Sequence, residues 1–309
     1  MSSARAYANL FRMGHCAPAV MRTIGDHSAP GKDWLVRFSA GMPGGIGNTG
    51  HECGAMTSPL VLLGLRYGLR DIDDGLPVVF DRSHALSRRF IDRHKTLQCK
   101  EIRGKDRFPR HCIPPVVHAP ELFVEVTSHD GRDAIPGTAR EAHGRLYSYM
   151  VENDFHCAQA VLESLQEGIP ERRDLMDSAS VFIGGTAFMG LTCSAFAAGV
   201  MALGLRRGEI ENSLPRVVRM LAIMTVGGDA LKEDLNKFNA SLMRGYRLSE
   251  WFTQEFGSTQ CLAITQCDFA TASGVEAYVR NDRIATCRDI AEKVAVQVEQ
   301  MLAPDEGVS

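Results

Sequence analysis

The sequence has no long hydrophobic run and no strong excess of charge. Its longest apolar stretch, Ala195 to Leu205, is about half as long as a membrane-spanning helix. The 34 basic and 37 acidic side chains leave a net charge of −3, and there is no long basic run. We therefore expect neither a nucleic-acid partner nor a membrane partner. The N-terminal residues lack the pattern of a secretory signal, which predicts a cytoplasmic protein.

The nine cysteines form no Cys-x-x-Cys pair. The nearest two, Cys261 and Cys267, lie six positions apart. This absence excludes the thioredoxin-type redox pair, the zinc ribbon and covalent attachment of c-type haem. Without a secretory signal, a disulfide scaffold is a poor explanation as well. Three interpretations of the cysteines stay open: ligands of a metal or cluster, scattered redox thiols, or small buried apolar side chains.

The chain repeats itself after about 140 residues. Residues 44–68 align with residues 184–208 without a gap, and ten of the aligned positions are identical. Residues 15–20 also match residues 156–161 at all but one position. Such a repeat indicates a tandem duplication. We therefore predict two homologous domains, residues 1–126 and 139–309, with an insertion near residues 209–235 in the second.

Each copy holds four cysteines in the same order. They are Cys16, Cys53, Cys99 and Cys112 in the first copy and Cys157, Cys193, Cys261 and Cys287 in the second, with Cys267 left over. The first spacing is nearly equal in the two copies (53 − 16 = 37 and 193 − 157 = 36), while the later spacings differ. Cysteines that persist while the connecting loops change are hard to explain by packing alone. Four thiolates are the usual ligands of a [2Fe–2S] or [4Fe–4S] cluster and of structural zinc.

The spacing of apolar residues predicts an all-α fold, with the two domains packed as a pseudo-twofold pair. Segments Cys53 to Leu69 and Cys193 to Leu205 are typical of buried helices that follow a glycine-rich turn. Ala4 to Thr23 has helical spacing interrupted by Pro18. Only Leu122 to Val126 has some strand character.

The glycine-rich turn before Cys53 is a candidate cofactor contact. Its residues 45–50 fit Gly-x-Gly-x-x-Gly, but no strand runs into them, and the second copy has Ala187 at the middle glycine. A dinucleotide site is therefore the weaker interpretation. The free N–H groups of such a turn and the positive end of the following helix favour a thiolate or an anionic cluster. We predict cofactor contacts at Gly44, Gly45 and Gly50.

The cysteine arrangement resembles the redox-active family named for its C-GCAxxG-C-C signature. Residues 155–159 resemble the N-C-A-Q element of that family, and residues 44–55 are similar to its glycine-rich stretch leading into C-G-A. Residues 256–261 resemble its F-G-S-x-x-C element, and Cys287 its final cysteine. The first copy departs from the pattern at Pro18 and lacks F-G-S before Cys99, and the second has Ser194 in place of glycine.

The resemblance implies a redox function. The same module resembles the non-haem part of split-Soret cytochromes, in which an iron–sulfur centre accompanies haem. This chain has no haem attachment motif, so only the iron–sulfur implication carries over. We expect one iron–sulfur cluster per domain, a [2Fe–2S] cluster held by the four cysteines, for electron transfer or redox sensing with an unidentified partner protein.

Several alternatives stay open at this point. One is a thiol enzyme that uses the same cysteines in disulfide exchange or peroxide reduction, and another is structural zinc in a binding module. A homodimer stays open as well. For the third ligand of the second copy we expect Cys261 rather than Cys267, because Cys261 alone aligns with Cys99 and follows F-G-S.

Overall fold

Helices make up nearly all of the regular structure in the computed structural model of the chain. It describes residues 3–104, 109–128, 134–165, 172–209, 218 and 240–303. Within these residues the paired strands form one short antiparallel hairpin, β1 (Ile72–Asp73) with β2 (Leu76–Pro77). The predicted all-α fold class is confirmed. No helix in the described part of the chain combines the length and apolarity needed to cross a membrane.

The two copies contain corresponding helices. Those of the first copy are α1 (Ser3–Met13), α2 (Cys16–Ser28), α3 (Trp34–Phe38), α4 (Gly54–Tyr67), α5 (Val78–His94), α6 (Cys99–Arg103) and α7 (Ile113–Ser128), with a 3₁₀ turn at Pro109–Cys112. Those of the second copy are α8 (Gly137–Glu152), α9 (Cys157–Ser164), α10 (Arg172–Ala179), α11 (Ser194–Arg207), α12 (Ala240–Phe256), α13 (Cys261–Thr265), α14 (Ala272–Arg280) and α15 (Arg283–Leu302). Helices α2, α4 and α6 correspond to α9, α11 and α13, because equivalent cysteines begin or immediately precede them.

The helices that follow the second cysteine of each copy lie at the centre of the fold. Residues 54–64 of α4 and residues 194–205 of α11 are buried without interruption. Cys53 and Cys193 are the N-cap residues of these helices and have nearly the same backbone angles, φ −58° and ψ 130° against φ −51° and ψ 125°. The two predicted buried helices are therefore confirmed, and each places a cysteine at its positive end.

Equivalent backbone hydrogen bonds surround the cysteines of the two copies. In the first copy the Cys53 N–H donates to the Leu97 carbonyl over 2.8 Å, and the Cys99 N–H donates to the His51 carbonyl over 2.5 Å. The second copy repeats both bonds at the equivalent positions, from Cys193 to Thr259 (2.8 Å) and from Cys261 to Leu191 (2.7 Å). These bonds join the turn before the second cysteine to the turn before the third, so the duplication in the sequence is also a duplication of the fold.

The copies pack against each other reciprocally. Helix α3 of the first copy contacts α11 of the second, and α10 of the second contacts α4 of the first. Gly64 and Gly204 lie at these two contacts: a Cβ added to Gly64 would be 2.5 Å from the Asp177 carbonyl oxygen, and one added to Gly204 would be 2.5 Å from the Arg37 carbonyl oxygen. Both glycines and both carbonyl residues are 140 positions apart (204 − 64 and 177 − 37). The two copies are therefore related by a pseudo-twofold axis at this contact, as predicted.

Two local predictions are wrong. The stretch Leu122 to Val126 is part of α7 and not a strand. The helical segment near the N-terminus breaks at Gly14 (φ +70°) rather than at Pro18. Pro18 is the third residue of α2, where the first turn needs no N–H donor, so proline is tolerated there.

The division into domains stays a prediction. The proposed boundary between residues 126 and 139 falls between α7, which ends at Ser128, and α8, which begins at Gly137. The insertion predicted near residues 209–235 lies outside the described residues apart from 209 and 218.

Candidate metal centres

In the second copy, four cysteines line one cavity of about 20 Å³. They are the predicted Cys157, Cys193, Cys261 and Cys287. Each comes from a different element: the start of α9, the N-cap of α11, the start of α13 and the first turns of α15. Residues separated by up to 130 positions (287 − 157) thus meet at one place. The cavity is about large enough for one water molecule.

The first copy also brings its cysteines together. Burial raises the pKa of the Cys53 thiol, and the nearby charges of Cys16 and Cys99 raise it further. Burial and the charges of Cys99 and Cys112 act in the same way on Cys16. The Cys16 Sγ lies 3.0 Å from the position of a Cβ added to Gly54, the residue after Cys53. The four predicted cysteines of this copy therefore lie close enough together for the charge on one sulfur to affect the pKa of another.

Burial raises the pKa of all eight of these thiols. The pKa of Cys99 rises to about 11, with a further contribution from Cys112, and the pKa of Cys193 rises to about 12. Reactive cysteines of thiol enzymes have lowered pKa values and are accessible. The pKa directions therefore do not support the thiol-enzyme interpretation. A bound metal favours the thiolate over the thiol in spite of burial, because a coordinated thiol is deprotonated outright.

In each copy, a backbone N–H group at an equivalent position lowers the pKa of the first cysteine and so opposes the effect of burial. The Gly44 N–H lies at the Cys16 thiol, and the Gly184 N–H lies at the Cys157 thiol, where each favours the thiolate. Of the predicted glycine contacts, Gly44 therefore lies beside a thiol. Gly45 and Gly50 lie in the turn that holds Gly44, and the Gly50 N–H donates to the Gly44 carbonyl over 2.8 Å.

The four cysteines of each copy are the kind of ligand set that an iron–sulfur cluster would use. No group of three or more His, Cys, Asp or Glu side chains among the described residues is arranged to hold a metal ion. A single ion requires every thiolate to lie about 2.3 Å from one point, whereas a cluster distributes the thiolates over several irons. Each copy provides four cysteines, and backbone N–H groups lie at the sulfurs of the first two in each copy. Such ligands and N–H donors are what a cluster of this kind requires.

Cys267 lies beside the second site but does not line its cavity. The residue is 2% exposed, and its thiol donates a hydrogen bond to the Thr265 carbonyl over 3.2 Å. In this arrangement the Cys267 S–H is engaged with a backbone carbonyl oxygen. This geometry favours Cys261 over Cys267 as the third ligand.

The two sites are joined by a contact that the sequence analysis missed. Glu52 and Thr192, which directly precede Cys53 and Cys193, are both buried. The Thr192 hydroxyl donates to the Glu52 carboxyl group, and the Thr192 N–H lies 3.4 Å from it. These residues are equivalent (192 − 52 = 140), so their contact lies at the pseudo-twofold axis. The positions share no residue type, and the repeat alignment therefore gives no signal for them.

We expect Thr192→Val to lower the free energy of unfolding by about 1–3 kcal/mol. The substitution keeps the shape of the side chain but leaves the buried Glu52 carboxyl group without its hydroxyl donor. It also removes the acceptor of the Gln260 amide, which donates to the Thr192 hydroxyl over 3.1 Å. Urea unfolding measures the change, and Thr253→Val, on the exposed part of α12, is the control for valine in place of threonine. Equal stability of both variants and the wild type would contradict the role of this contact.

A helical tandem repeat that brings four cysteines together in each half defines a duplicated cysteine-rich module. The model of the family described as "Putative redox-active protein (C_GCAxxG_C_C)" matches residues 14–126 and 155–301. The chain therefore belongs to this family, as two tandem copies. The matched segments include all eight cysteines of the two sites. No curated protein and no solved structure was found to match the chain.

Proposed function

We propose that each copy binds one [2Fe–2S] cluster through its four cysteines and that the protein transfers electrons or senses redox state. The observation that carries the proposal is the cavity of the second copy, which is lined by four cysteines from four separate elements. The first copy supports the proposal, because its equivalent cysteines lie close enough together for the charge on one sulfur to affect the pKa of another.

A bound iron–sulfur cluster supplies one-electron redox chemistry. The protein supplies the ligands and the surroundings that set the reduction potential. The N-terminal ends of α4 and α11 and the N–H groups of Gly44 and Gly184 stabilise negative charge on the sulfurs. The buried apolar residues of α4 and α11 exclude water from one side of each site.

Electrons would enter where the ligands approach the surface. Cys16 and Cys112 in the first copy and Cys287 in the second are partly exposed, while the other five predicted ligands are buried. A redox partner protein would therefore dock near these three cysteines, because electron transfer requires a short distance between donor and acceptor.

Reversible bleaching of the visible spectrum tests the proposal. Anaerobically purified protein is expected to absorb visible light, to lose much of that absorbance when dithionite is added, and to regain it on oxidation. A colourless protein that contains zinc would support the zinc alternative instead. A colourless, metal-free protein whose thiols react rapidly at neutral pH would support the thiol enzyme.

A further inference from the structure

A buried tyrosine donates a hydrogen bond to one of the predicted ligands. The Tyr278 hydroxyl, on α14, donates to the Cys287 Sγ over 3.4 Å, and the tyrosine is fully buried. Its ring is held by edge contacts with Phe269 and Tyr149, whose ring centroids lie 5.4 and 6.4 Å away. Because the ring is fixed on two sides, the direction of the hydroxyl group is fixed as well.

The first copy has no equivalent of this tyrosine. Only residues 104–108 separate α6 from the 3₁₀ turn that ends at Cys112, too few for a nine-residue helix such as α14. The sequence from Cys99 to Cys112 also contains no serine, threonine or tyrosine. Between the third and fourth cysteines, a hydroxyl group is therefore present in the second copy alone, and the two sites differ in this respect although their cysteines correspond.

We propose that Tyr278 is a positioning residue that raises the reduction potential of the second site relative to the same site without the hydroxyl group. The inference rests on the proposed function. A donor at a ligand sulfur stabilises the extra negative charge of the reduced cluster more than that of the oxidised cluster. The electron comes from an external reductant and stays on the cluster, and the phenol keeps its proton. The hydrogen bond therefore makes the second site a better electron acceptor.

The test compares Tyr278→Phe in two backgrounds of the full chain. Cys16→Ala removes a ligand of the first site, so that only the cluster of the second site is titrated. Cys157→Ala removes a ligand of the second site, so that only the cluster of the first site is titrated. In the Cys16→Ala background, Tyr278→Phe is expected to shift the midpoint potential to a more negative value. In the Cys157→Ala background, the same substitution is expected to leave the midpoint potential unchanged.

Tyr149→Phe is the matched control. It removes a hydroxyl group from the neighbouring ring, which packs against Tyr278, and is expected to leave both potentials unchanged. Iron and sulfide content, measured first, separates the possible failures. Wild-type protein without iron would overturn the proposed function and this inference with it. Iron at the wild-type level in Tyr278→Phe, with no shift in the Cys16→Ala background or with equal shifts in both backgrounds, would overturn this inference alone.

Discussion

Cys261→Ser is expected to lower the iron content of the purified protein by about half, while Cys267→Ser leaves it near the wild-type value. Cys261 lines the cavity of the second site, whereas Cys267 donates its S–H to the Thr265 carbonyl. Loss of one thiolate from four removes the cluster of that copy and leaves the other copy loaded. Iron per chain, measured on protein purified without oxygen, gives the result.

The two substitutions control for each other. Both replace a buried cysteine by serine, and the two positions are six residues apart, so a general effect on folding would appear in both variants. Cys99→Ser, at the position equivalent to Cys261, is expected to lower the iron content by the same amount. Iron that is lost in Cys267→Ser and retained in Cys261→Ser would assign the ligand to Cys267 instead.

Gly64→Ala and Gly204→Ala are each expected to lower the free energy of unfolding by about 3 kcal/mol. A Cβ at either position would lie 2.5 Å from a backbone carbonyl oxygen of the other copy, and backbone cannot move aside as a flexible side chain can. The helices α4 and α10, or α11 and α3, would have to separate. Urea unfolding of each variant measures the loss.

Gly25→Ala is the matched control for these substitutions. Gly25 lies within α2, and a Cβ added there meets nothing within 4 Å. Alanine is expected to leave the stability unchanged or to raise it by about 0.5–1 kcal/mol, because it restricts the unfolded chain. If all three variants lost stability equally, the loss would come from helical glycines in general and not from the contact between the copies.

The repeat allowed much of the fold and the grouping of the cysteines to be predicted. Cys53 and Cys193 stand at equivalent positions before long apolar segments, which predicts that each cysteine begins a buried helix. The prediction of strand character for Leu122 to Val126 is wrong because a short apolar run fits a strand and a buried helix equally well. In α7 the buried residues Ala119, Phe123 and Val126 are three or four positions apart, a helical spacing that appears only over the longer segment.

Contacts that depend on the packing of distant elements could not be predicted. Glu52 and Thr192 meet only because the two copies are related by a pseudo-twofold axis, and nothing in either local sequence indicates a partner 140 positions away. Tyr278 lies in the spacing between Cys261 and Cys287, which has no equivalent length in the first copy. Its hydroxyl reaches Cys287 because rings from other elements fix its direction.

The central claim is that each copy binds an iron–sulfur cluster. The most direct test is the content of iron and acid-labile sulfide per chain in wild-type protein purified without oxygen. Two [2Fe–2S] clusters predict about four irons and about four sulfides per chain. Protein that contains zinc in place of iron, or neither iron nor sulfide, would contradict the claim.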